Sequence, residues 1–242
     1  MIELEAIELR YGRQVLAQNF SWQLPDPGAY LLLGPTNSGK SLLARVLTGR
    51  HKPRAGRVLI DGWQLYAGFS GYRAPLFLAQ AEAACREAEP LDIYLAAELV
   101  NSGETVRALE PAWPVLDSLI PDRAMPVNKL SHGQVLLAQF ALATVLPVRL
   151  AVLDGHLTYL DARYCQAAHD LLQISHEQRE KYLILTASRL ARFLPALDGA
   201  YVLANPPLAI KPLARDMVLT TDVKPIDAAD SLRVYTVSSP AL

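Results

Sequence analysis

One short stretch constrains this chain more than any other. Gly34-Pro35-Thr36-Asn37-Ser38-Gly39-Lys40-Ser41 satisfies the pattern G-x-x-x-x-G-K-[ST] at every fixed position. Its surroundings fit as well. Ala29 to Leu33 is a short, wholly apolar run, as expected of a strand buried on both faces. Lys40 to Thr48 carries Leu42, Leu43, Val46 and Leu47 at helical spacing, and Gly49 stands where such a helix stops. A glycine-bearing loop between strand and helix turns its backbone N–H groups inward, where they and the helix N-terminus bind phosphate oxygens. In that arrangement Lys40 reaches the β and γ phosphates of a nucleotide, and the Ser41 hydroxyl ligates Mg²⁺.

The rest of the chain reads as α/β with a largely parallel sheet. Residues 2–11, Asn19 to Leu24, Arg57 to Ile60, Leu150 to Leu153, Tyr182 to Thr186 and Tyr201 to Ala204 have strand patterns. Helices are expected from about Gly133 to Leu146 and from Asp161 to Ser175. The middle, 81–130, is rich in Ala, Glu and Leu and broken by Pro90, Pro111, Pro114, Pro121 and Pro126, a pattern of several short helices inserted into the α/β layer. Past residue 211 the text changes, with short edge strands expected at Met217–Thr221 and Arg233–Val237.

Composition removes several classes of function. With 51% apolar and 19% charged residues in 242, the chain is not generally disordered. Lys plus Arg is 23 and Asp plus Glu 24, a net charge of −1 that argues against gripping nucleic acid through bulk positive charge, while a local basic patch stays open. Cys85 and Cys165 are isolated and read as small buried hydrophobes. The longest oily stretch, Val135 to Leu153, is interrupted by Gln139, Pro147 and Arg149, so it reads as a buried helix and strand rather than a membrane span. The acidic start lacks the basic character of a signal peptide, and a cytoplasmic chain is expected.

Two further features carry chemistry. Val152-Leu153-Asp154 ends an apolar strand with a carboxylate, which beside a phosphate-binding loop suits a Mg²⁺ ligand. Leu130-Ser131-His132-Gly133-Gln134 opens a helix with a hydroxyl, a glycine and an amide. Those groups suit a γ-phosphate, and equally an ordinary helix cap built on Ser131.

In their order (phosphate-binding loop, helical insertion, Leu-Ser-x-Gly-Gln, strand with terminal Asp) these features resemble the ATP-binding cassette family over about residues 1–205. Forty positions separate Lys40 from Gln80 and twenty-three separate Ser131 from Asp154, spacings similar to the family's. The resemblance implies a P-loop NTPase core with a mixed, largely parallel sheet and an N-terminal antiparallel β portion, formed by 1–80 and 131–210. It adds a helical subdomain, 81–130, and leaves a C-terminal extension, 211–242. It implies that ATP is bound with Mg²⁺ and that Tyr11 stacks on the adenine, although Tyr11 also reads as a strand-end core residue. Gly34 through Ser41 would hold the phosphates, Ser41, Gln80 and Asp154 would serve the metal, and Ser188 would lie by the γ-phosphate. Ser131, His132, Gly133 and Gln134 would form a signature loop reaching a second cassette, and Asp161 would stand in a dimer loop. Its partners would be transmembrane permease subunits and that second cassette, with attachment to the inner face of the cell membrane through them.

Three departures stand out. The family places Glu, the general base, after the strand Asp; here Gly155 stands there, followed by His156 in place of the usual Pro. The family's histidine past the Tyr182–Thr186 strand is replaced by Ser188, or by Ala187 if the alignment shifts by one. His132 replaces the first glycine of the signature. Binding groups are kept and hydrolytic groups lost, so slow turnover is expected, with Gly155→Glu raising it where the geometry is otherwise intact. His156 is a substitute base displaced by one residue, or else a surface or interface histidine. His51, His169 and His176 read as solvated. An energising transporter subunit fits these residues, and so does a nucleotide-gated regulatory or assembly module. A soluble cassette ATPase of translation or repair fits less well, since the chain has one such loop and no heptad run.

Overall fold

The computed structural model describes residues 1–68, 71, 76–81, 89–101, 103, 105–177, 180–188, 197–204 and 208–213. At its centre lies strand β3 (Gly28–Leu33), buried at every position after Gly28. Its side chains alternate between two apolar cores: Ala29, Leu31 and Leu33 enter one, Tyr30 and Leu32 the other. Strands β7 (Leu150–Asp154) and β8 (Tyr182–Ala187) divide their side chains in the same way. Runs without polar alternation therefore form strands sandwiched between two layers, as read from the sequence.

These strands belong to a six-stranded sheet of order β10–β9–β3–β8–β7–β6, with β6 at Leu76–Gln80, β9 at Gly199–Ala204 and β10 at Ala209–Leu213. All pairings are parallel except that of β10 with β9. One face carries helix α1 (Lys40–Leu47), which buries Leu43, Ala44, Val46 and Leu47. It also meets a four-stranded antiparallel sheet of order β2–β1–β4–β5, formed by Gln14–Leu24, Ile2–Tyr11, Ala55–Ile60 and Trp63–Gln64. The Arg149 guanidinium, just before β7, pairs with the Asp61 carboxylate just after β4, with nitrogen–oxygen distances of 2.6 and 2.8 Å, tying the sheets together.

The other face carries α4 (His132–Val145), α6 (Ala162–Glu177) and the helical middle. The middle contains α2 (Leu91–Asn101), α3 (Trp113–Asp117) and 3₁₀ turns at Val106–Leu109 and Val127–Lys129. Leu95, Leu99, Leu109 and Leu116 lie in the same apolar cluster as Leu136 and Phe140 of α4, so the insertion shares the core of the layer it is inserted into. Among the described residues no helix is long and apolar enough to cross a membrane.

Helix α4 is buried on every side from Val135 to Val145, which explains the oily stretch. Its C-terminal carbonyls lie where water does not reach. Lys181 meets them from the start of β8: its Nζ donates to the carbonyls of Ala143 (3.3 Å), Thr144 (2.6 Å) and Leu146 (2.8 Å). A cation at a helix C-terminus also opposes the helix dipole favourably.

The structure departs from the pattern reading at several places. Strand β2 begins at Gln14 rather than Asn19, because pairing with β1 carries its N-terminal half, where only Leu16 and Ala17 are buried. Strands β5, β6 and β10 were not foreseen. Strand β10 runs through Lys211 to Leu213, across the boundary expected at 211, and pairs with β9 along its length. The strands expected at Met217–Thr221 and Arg233–Val237, and Cys85, lie outside the described residues. Cys165 is half-buried and free.

Replacing Lys181 by Met should leave those helix carbonyls unpaired and reduce stability by about 2 kcal/mol, read by urea denaturation at neutral pH. Burial also lowers the Lys181 ammonium from its ordinary 10.5 to about 8. Between those values the unfolded chain binds more protons, so the wild type gains stability as pH rises from about 8 towards 10.5. Lys181→Met should lack that gain.

Candidate functional site

The phosphate-binding loop joins the carboxyl end of β3 to α1. The Gly34 amide donates to the Ala187 carbonyl at 3.1 Å, anchoring the loop to β8. Lys40 opens α1, 8% exposed, and its Nζ donates to the Gly34 carbonyl (2.6 Å), the Pro35 carbonyl (2.7 Å) and Ser38 Oγ (3.4 Å). Burial pulls its ammonium below the ordinary value, and the Asp154 carboxylate pulls the other way. No side chain caps the start of α1, so its first N–H groups point at the loop. Pro35, Thr36, Asn37 and Ser41 are exposed, Gly39 half-buried and Ser38 buried.

Asp154 ends β7 directly beside Gln80, which ends β6. The Gln80 Nε2 donates to Asp154 Oδ2 at 3.1 Å, and the Thr186 hydroxyl donates to Asp154 Oδ1 at 2.7 Å. Gln80 and Asp154, both assigned to the metal by the family resemblance, thus lie side by side. Thr186 was missed, although its signal was present: a hydroxyl closing an otherwise apolar strand beside the strand that ends in Asp. Mg²⁺ fits this donor set. It takes hard oxygens, usually one or two carboxylates plus phosphate and water, and Asp154, Ser41 and Gln80 offer oxygens of that kind. Among the described residues no cluster of three His, Cys, Asp or Glu side chains could hold a metal without such help.

After Asp154 the loop takes its own course. Gly155 has φ +83°, ψ −5° and donates its N–H to Thr186 Oγ1 at 2.8 Å. A Cβ at this position would meet Ala81 Cβ at 3.6 Å, so space is available, but the left-handed backbone strains any L side chain. The geometry that Gly155→Glu needs is therefore absent. His156 opens the short helix α5 (His156–Tyr159) and is neither a surface nor an interface residue: it is 0% exposed. Its Nε2 lies 2.9 Å from Gln139 Oε1 of α4, and burial, against the opposing pull of the Asp154 backbone and carboxylate, lowers its pKa to about 4. The ring is neutral, enclosed and already bonded, so it cannot reach a nucleotide in this conformation. Ala187 faces the core, whereas Ser188 is half-buried at the end of β8 with its N–H 3.4 Å from Thr158 Oγ1.

The signature loop serves the helix cap. Ser131 Oγ accepts from the Gln134 amide at 3.3 Å, and Gln134 Oε1 accepts from the Ser131 amide at 2.8 Å, a reciprocal capping box at the start of α4. Gln134 Nε2 donates to the Leu119 carbonyl at 2.8 Å. His132 is exposed and stands edge-on to Tyr159, ring centroids 5.4 Å apart. Gly133 is needed for packing: a Cβ there would come within 2.7 Å of the Tyr164 ring. Asp161 caps α6, its Oδ1 accepting from the amides of Arg163 (3.0 Å) and Tyr164 (3.1 Å). Tyr11 is 72% exposed at the end of β1, so it is not a core residue, and its ring is available. His51 is exposed as expected, His169 instead is half-buried with its Nδ1 3.6 Å from Asp170, and the side chain of His176 lies outside the described residues.

Beside these groups, between β6 and the helical middle, lies a cleft of about 600 Å³ lined in part by Arg45, Phe77, Tyr94, Glu98, Gln80 and Gln139.

A parallel α/β sheet with a phosphate-binding loop at its carboxyl edge and a carboxylate on the next strand but one defines a nucleotide-binding fold. Residues 17–157 match the family described as ABC transporter. The chain belongs to that family. It is 32% identical over 169 residues to the cytochrome c biogenesis ATP-binding export protein CcmA of Rhodospirillum rubrum, covering 66% of this chain and 69% of that one. It is 30% identical over 198 residues to the ferric enterobactin transport ATP-binding protein FepC of Escherichia coli K12, covering 76% and 70%. A solved ATP-binding subunit of an ABC transporter shares the fold with a TM-score of 0.69 at 22% identity, covering 88% of this chain and 90% of that one.

Gly133→Ala should force the Tyr164 ring aside and lower stability by about 1–2 kcal/mol in thermal denaturation. In the Tyr164→Ala background the same change should cost less than half as much, since the clash is then gone.

Proposed function

We propose that the chain is the ATP-binding subunit of a membrane transporter in which it binds Mg-ATP and pairs with a second cassette, while hydrolysis at its own site is impaired. The observation that supports this most directly is the contrast across Asp154. On one side Gln80 is hydrogen-bonded to Asp154, whose carboxylate also acts on the Lys40 ammonium held by the loop carbonyls. On the other, Gly155 has no side chain and His156 is turned into the core.

In this reading the loop amides and Lys40 bind the phosphates, and the exposed Tyr11 ring covers the adenine. Ser41, Gln80 and Asp154 hold Mg²⁺, which when bound neutralises phosphate charge. No group at 155 or 156 polarises an attacking water, a loss that typically costs 10²–10⁴ in rate. Closure of two cassettes on ATP then proceeds without prompt reopening by hydrolysis in this half. The cleft beside β6 supports docking of a permease segment: it is walled by β6 on one side and α2 on the other, and its Gln80 touches Asp154. Attachment to the inner membrane face follows from that docking. CcmA and FepC are named for an export protein and for ferric enterobactin transport, and this chain retains the nucleotide half common to both descriptions.

The test combines equilibrium binding with phosphate release. A fluorescent ATP analogue should bind the purified wild type with Mg²⁺ and fail to bind Lys40→Ala. Steady-state phosphate release from the lone chain should remain near background. Gly155→Glu should not raise it, and should lower stability by about 1–2 kcal/mol because its backbone is left-handed. Brisk turnover by the lone wild type would overturn the reading, and loss of that turnover in His156→Ala would identify a rearranged His156 as the base.

A further inference from the structure

Thr186 has no part in the binding scheme above, yet its hydroxyl occupies the junction of the site. It is 0% exposed at the end of β8, in a strand whose preceding residues, Tyr182 to Leu185, are all buried and apolar in body. A hydroxyl in such surroundings is unfavourable unless its hydrogen-bonding capacity is used. Here it is used in both directions. The hydroxyl donates to Asp154 Oδ1 at 2.7 Å and accepts the Gly155 N–H at 2.8 Å.

The two bonds act on adjacent residues for different ends. The first fixes one oxygen of the Asp154 carboxylate, whose other oxygen accepts, among the described residues, the longer 3.1 Å hydrogen bond from the Gln80 amide. The second holds the peptide at which the chain leaves β7 for the left-handed turn at Gly155. A side chain that rotates about two bonds is oriented for a metal only if something outside it sets those angles. Leu185 and Ala187, the neighbours of Thr186 along the strand, offer no polar side-chain atom to take its place.

We infer that Thr186 is a positioning residue for the Mg-nucleotide: its hydroxyl sets the Asp154 carboxylate in its ligating orientation and ties that orientation to the backbone turn at Gly155. It touches neither nucleotide nor metal and acts only through Asp154. This inference rests on the nucleotide-binding reading of the same site.

The test titrates Mg²⁺ into the full chain with a fluorescent ATP analogue, with an EDTA-treated sample giving the metal-free affinity. Thr186→Val keeps the shape and removes the hydroxyl. It should raise the half-saturating Mg²⁺ concentration about tenfold, as loss of an outer-shell partner does, with metal-free affinity within about twofold of wild type. Thr186→Ser should restore the wild-type Mg²⁺ curve. If Thr186→Val does not fold, Thr186→Cys is read in its place, because a thiol is a similar-sized but weaker donor and should shift the curve the same way. A wild-type Mg²⁺ curve in the folded valine or cysteine variant overturns the inference. So does equal weakening with and without metal, or failure of serine to restore the curve. A wild-type chain whose nucleotide binding ignores Mg²⁺ overturns instead the reading on which the inference rests, so the two failures are distinct.

Discussion

Parallel pairing of β3, β8, β7 and β6 is the constraint on which the rest depends. Four strands that run in one direction end at one edge, and each end delivers a different group there: the Gly34–Ser41 loop, Thr186, Asp154 and Gln80. Such strands need cover on both faces. Helix α1 and the antiparallel sheet supply one cover, and α4, α6 and the helical middle the other. The polar cluster thus gathers at the carboxyl edge of an apolar layer, and its geometry follows from register: Gln80 lies beside Asp154 because Leu76 lies beside Leu150.

What was legible in the sequence follows the same logic. The strands at Gly28–Leu33, Leu150–Asp154 and Tyr182–Ala187 could be read because burial on both faces leaves an unbroken apolar run. The loop could be read because phosphate chemistry fixes residue types at fixed intervals. Strand β10 could not, since it is an edge strand whose Lys211 and Pro212 are exposed and whose pairing with β9 is long-range information. The fate of His156 was equally hidden. Its partner Gln139 interrupts an oily stretch seventeen positions earlier, and only the packing of α4 against β7 makes the two polar groups into a pair.

Ser131, Gly133 and Gln134 show how one motif answers to two demands. The capping box closes the N-terminus of a helix that is otherwise entirely buried, and Gly133 makes room for Tyr164 of α6. These roles exist within a single chain, whatever lies across an interface. The pairing of His132 with Tyr159 adds a contact between the start of α4 and the short helix that follows Gly155.

The left-handed turn at Gly155 also bears on how such a site changes over time. Two of the four glycine codons become glutamate codons through one base, so a carboxylate at such a position is on paper a short step away. The backbone makes that step uphill: φ of +83° is held by the Gly155 N–H bond to Thr186 and by the buried pairing of His156 that follows it. A side chain here would first need those neighbours to let the turn relax. A substitution at this position therefore reaches beyond the residue it changes, because the turn, the Thr186 bond and the His156 pairing would have to shift together.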